Sequence, residues 1–93
     1  MSNFGKNIED LNNTLKTSET MYAEGYITDY QLTTVIEGVV RAKIQLAGIK
    51  SYRELTSYIN YVYSLYMNGE TTDREYDVTN TMIDEMIKSA FNF

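Results

Sequence analysis

The sequence predicts an all-α protein: four helices paired as two antiparallel hairpins and packed as a four-helix bundle. Three observations carry this expectation. Four segments repeat apolar residues at helical spacing. Each of the three breaks between them holds a glycine, followed within three residues by a hydroxyl-led capping motif. No proline interrupts any segment.

The first segment, predicted over residues 6–24, places Ile8, Leu11, Leu15 and Tyr22 on one face, with Ser18 as its polar interruption. Gly25 ends it, where a left-handed cap is easiest. Thr28-Asp29-Tyr30-Gln31 then reads as a capping box: the Thr28 hydroxyl accepts from the third helical amide while Gln31 reaches back. It opens a helix over 28–47 whose broad apolar face runs through Leu32, Val35, Ile36, Val39, Val40, Ile44, Leu46 and Ala47, and which Gly48 closes. Ser51-Tyr52-Arg53-Glu54 opens the third, over 51–68, with Tyr52, Leu55, Ile59, Val62 and Tyr66 in heptad spacing and Asn68-Gly69 at its end. Thr72-Asp73-Arg74-Glu75 opens the fourth, over 72–90, lined by Tyr76, Ile83, Met86, Ile87 and Ala90.

Connections of about two to four residues force neighbouring helices to lie antiparallel. The expected organisation is one helical domain over 1–93, built from a hairpin at 6–47 and a hairpin at 51–91. The expected core is Leu11, Leu15, Tyr22, Leu32, Val35, Val39, Leu55, Ile59, Val62, Tyr66, Ile83 and Ile87. Phe91 reaches the core flank in this reading, and Phe93 is held only if a partner covers it.

The halves echo each other. At an offset of 44 residues Gly25 matches Gly69, Tyr22 matches Tyr66, Thr28 matches Thr72, Asp29 matches Asp73, and Leu32 matches Tyr76 in character. Gly25-Tyr26-Ile27-Thr28-Asp29 with Leu32, and Gly69-Glu70-Thr71-Thr72-Asp73 with Tyr76, resemble the turn phrase of the short oligomerisation hairpins called the SHOCT family. Thr71 stands where that family has isoleucine. The resemblance implies protein–protein association and no catalysis.

Composition narrows the function. An apolar fraction of 43% with 23% charged residues argues against disorder. With no cysteine and no histidine, the chain lacks disulfides, thiolate metal sites and the usual general base. No P-loop, Gly-x-Ser-x-Gly or other phosphate cradle appears, so neither an enzyme, a cofactor, a metal nor a small-molecule substrate is expected. The segment from Asp73 to Asp84 has the length of an EF-hand loop, but Val78 replaces its glycine and Asp84 its long bidentate glutamate, so calcium is rejected. The net charge is −5 and the eight basic residues are scattered, which argues against direct nucleic-acid binding and against an anionic membrane surface. No apolar run reaches the ~18 residues of a membrane span, and no signal-peptide core follows the first residues, so a cytoplasmic address is expected. Richness in Thr, Tyr, Asn and Ile is a codon-level association with AT-rich phage or mobile-element genomes.

Two surfaces stand out. Five of the nine tyrosines fall between Tyr52 and Tyr66. On a helical wheel Leu55, Val62 and Tyr66 centre the apolar face, Tyr58 and Leu65 lie about 70–90° to one side, Tyr63 about 70° to the other, and Tyr61 roughly opposite. The apolar and aromatic residues of this helix span about 200°, whereas a bundle helix needs about 100°. Either Tyr58 and Tyr63 bury their rings with wet hydroxyls and Tyr61 is simply exposed, or Tyr58, Tyr61 and Leu65 form a partner-binding surface. The second surface is acidic: Asp73, Asp77 and Asp84 fall within about 40° on the fourth helix. Either negative charge in its first turn complements the helix dipole, which accounts for Asp73 and Glu75 and leaves Asp84 over, or Asp73, Asp77 and Asp84 are an acidic surface beside the α3 tyrosines that faces a basic partner.

The expected function is a small interaction protein that binds and modulates another protein. The alternatives are an assembly protein acting through a second copy of itself, or, more narrowly, an immunity-type bundle or an acidic DNA-mimic inhibitor.

Overall fold

The computed structural model describes the backbone of residues 4–91 and the side chains of residues 7–89. The roles expected of the Ala90, Phe91 and Phe93 side chains lie outside them. The protein is all-α, with helices α1 (Phe4–Ala23), α2 (Asp29–Ala47), α3 (Tyr52–Met67) and α4 (Asp73–Phe91). It divides into two compact units, Met1–Ala47 and Gly48–Phe93. Each is a helical hairpin, α1 against α2 and α3 against α4.

The two hairpins turn by the same device. Gly25 and Gly69 have φ of 83° and 76°. Behind Gly25, the Tyr26 N–H donates to the Met21 carbonyl at 2.8 Å and the Gly25 N–H to Tyr22 at 3.1 Å. Behind Gly69, the Glu70 N–H donates to Leu65 at 2.8 Å and the Gly69 N–H to Tyr66 at 3.1 Å. These paired bonds are a Schellman cap, which satisfies carbonyls that a helix end leaves orphaned. Three residues after each glycine a threonine restarts the helix. Gln31 N–H donates to Thr28 Oγ1 at 3.1 Å while Thr28 N–H donates to Gln31 Oε1 at 2.8 Å, completing the box. Glu75 N–H donates to Thr72 Oγ1 at 3.2 Å. Ser51 accepts from Glu54 N–H at 3.1 Å, and the Glu54 carboxylate reaches one residue further back than expected, to Lys50 N–H at 3.1 Å.

In hairpin 1 the buried residues are Leu15 and Ser18 of α1 and Leu32, Ile36, Val39, Val40 and Ile44 of α2. The α2 set spans about 140° of arc, centred towards the 36–40–44 row. Val35 therefore sits at its edge and is half-buried, as is Leu11 on α1. Lys43 Nζ donates to Asn12 Oδ1 at 2.7 Å, tying the two helices near their open end.

In hairpin 2 the buried residues are Leu55 and Val62 of α3 and Glu75, Thr79 and Ile83 of α4. Ile59, Tyr66 and Ile87 are half-buried. The Thr79 hydroxyl satisfies itself by donating to the Glu75 carbonyl at 2.7 Å. No buried side-chain nitrogen or oxygen among the described residues lacks a partner.

Tyr22 corrects the expected core, being 38% exposed. It lies on the face of Leu15, but in the last turn of α1, where the chain is about to reverse. Its counterpart Tyr66 is covered by the ring of Tyr76; the residue equivalent to Tyr76 in hairpin 1 is Leu32, which offers no ring to lie over a phenol.

Val39→Asp or Val62→Asp, each placing an unpaired carboxylate at a buried position, should abolish the cooperative melt, since the penalty of several kcal/mol rivals a stability of ~5–10 kcal/mol. A midpoint near wild type would contradict the core assignment. Gly25→Ala or Gly69→Ala should destabilise by about 1 kcal/mol through backbone conformation alone, because a Cβ meets nothing within 4 Å at either site. Gly38, inside α2 with the same open surroundings, has no positive φ. Gly38→Ala should therefore stabilise by ~0.5–1 kcal/mol in chemical denaturation.

Candidate protein-interaction surface

The tyrosines of α3 divide between two flanks. On one, Tyr58 is half-buried and Tyr61 is 58% exposed. Their ring centroids are 6.2 Å apart at 45°, a separation that spacing of three residues on a helix produces. Leu65, four residues on from Tyr61, is half-buried on the same side. The Tyr58 hydroxyl is pushed from its usual 10 up to about 12, first by burial, then by the Glu75 carboxylate and by Tyr61.

On the other flank Tyr52 and Tyr63 are exposed, and two rings meet Tyr76 of α4. Tyr66 stacks on Tyr76 of α4, with centroids 4.5 Å apart and planes 9° from parallel. Tyr63 tilts against the same ring at 6.0 Å and 51°. The Tyr66 hydroxyl donates to Asp73, and that bond, the carboxylate's charge, desolvation, and Tyr76 and Tyr63 all raise its pKa.

The acidic row of α4 does not act as one unit. Asp73, Asp77 and Asp84 are all exposed. Asp73 and Asp84 lie about 16 Å apart along the helix axis, and each has its own partner. Asp73 serves the Tyr66 phenol, and Asp84 pairs with Lys88 at 3.0 Å one turn on. The structure thus brings Tyr58 to Tyr61 and Asp73 to Tyr66. Tyr58 and Tyr63 point about 140° apart on α3, so the tyrosine ladder that contacts α4 is not the flank that carries Tyr61.

Two features escaped the sequence reading. Glu75, expected as a first-turn acid, is buried together with Thr79 and Ile83; their spacing of four puts all three on one row, and that row was legible from Ile83 backwards. The closed end of hairpin 1 also exposes Tyr26 and Tyr30. Their positions, in a turn and in the first turn of a helix about 110° from the centre of its buried arc, were the available signal.

A shallow groove of about 430 Å³ lies between α1 and α2, with Asn7, Asp10, Leu11 and Thr14 on one wall and Ala42, Gln45 and Leu46 on the other. Asp10 is its single titratable group, so it holds no acid–base pair. Among the described residues, no group of three or more His, Cys, Asp or Glu is placed to hold a metal, and no helix is long and apolar enough to cross a membrane. Comparison with protein-family models, curated proteins and solved structures gives no match.

The pKa shift of Tyr58 has a sign that can be tested. Its folded value lies above its unfolded value, so the folded state holds the phenol proton more tightly. The contribution is complete below pH 10 and is lost as pH rises through about 12. Tyr66 acts in the same direction. The thermal midpoint should therefore fall between pH 10 and about 12, and Tyr58→Phe should flatten that fall. An unchanged slope in the variant would show that other groups govern it.

Proposed function

We propose that the chain is a small, non-catalytic protein–protein interaction module that binds and modulates another protein through Tyr61, Tyr58 and Leu65 of α3. The observation that carries this reading is the Tyr61 ring, more than half exposed and propped against a half-buried tyrosine. A ring held in place from below presents a large amphipathic face with little conformational entropy left to lose on binding. Tyr63 and Tyr66, by contrast, are already engaged with Tyr76. The exposed carboxylates of α4 add a field that speeds encounter with a basic partner and weakens with salt.

Tyr61→Ser is the cleanest test, because Tyr58 is half-buried and its replacement perturbs packing as well. The variant should keep the wild-type thermal midpoint and lose at least about tenfold in partner capture from source cells, as expected for an aromatic hot spot of ~2 kcal/mol. Unchanged capture with an intact fold would place the binding surface elsewhere. Native mass spectrometry separates the assembly reading: a defined oligomer dissociated by Tyr61→Ser would mean that the partner is a second copy.

A further inference from the structure

No further inference is drawn: the strongest candidate, the surface patch of exposed Tyr26 and Tyr30 side chains at the closed end of hairpin 1, carries nothing because nothing in the structure shows what covers it.

Discussion

Each hairpin hangs on a glycine held in a left-handed conformation and a threonine hydroxyl three residues beyond it. The glycine lets the last carbonyls of one helix find donors, and the threonine gives the first amides of the next an acceptor. With both ends of the turn satisfied by its own backbone and caps, the chain has one way to reverse. The register between the arms follows from that reversal. It sets Lys43 opposite Asn12 in hairpin 1 and Tyr66 opposite Tyr76 in hairpin 2. Cα chirality makes glycine the cheap choice at the pivot, since any other residue carries a Cβ penalty there even with empty space around it.

The same turn built twice makes the differences between the hairpins informative. Hairpin 2 places a tyrosine at position 76, so Tyr66 and Tyr63 gather around it, and Asp73 takes the Tyr66 proton donor. Hairpin 1 has Leu32 at the equivalent position, and its aromatics stay outward: Tyr22 partly, Tyr26 and Tyr30 almost fully. Hairpin 2 gathers Tyr63 and Tyr66 around Tyr76 while Tyr52 and Tyr61 stay exposed, whereas hairpin 1 has no such cluster. Divergence at otherwise equivalent positions is therefore the guide to where surface chemistry has been placed.

How legible this was in the sequence depended on the range of the interaction. Helix limits were readable because caps are local: Thr28, Ser51 and Thr72 act on amides within three residues. Positive φ at Gly25 and Gly69 was readable for the same reason. Burial was harder, since it depends on which arc of a helix its neighbours cover. Val35 and Val40 lie on the same broad apolar face, yet Val40 is buried and Val35 only half so. Glu75 was misjudged because a carboxylate in a first turn has an adequate local role, which hides a position on the buried row. The candidate surface on α3 was visible as an excess of aromatic arc. The fate of each ring was not, because the wheel does not reveal that Tyr76 collects Tyr63 and Tyr66 while Tyr58 and Tyr61 find each other.

The short capped turns also bear on how quickly this protein reaches its native state. Both hairpins join helices adjacent in the chain, so most native contacts close small loops, and closing a loop of ten residues takes ~10–100 ns. Topologies with such local contacts fold in the microsecond-to-millisecond range. The chain contains no proline, so no prolyl isomerisation adds a phase of tens of seconds. During synthesis, the sequence that forms the first turn and its two arms leaves the ribosome ahead of α3, and at about 5–20 residues per second the ribosome is far slower than the folding of a helical hairpin. Hairpin 1 thus has time to sample its paired state while the rest of the chain is still being made.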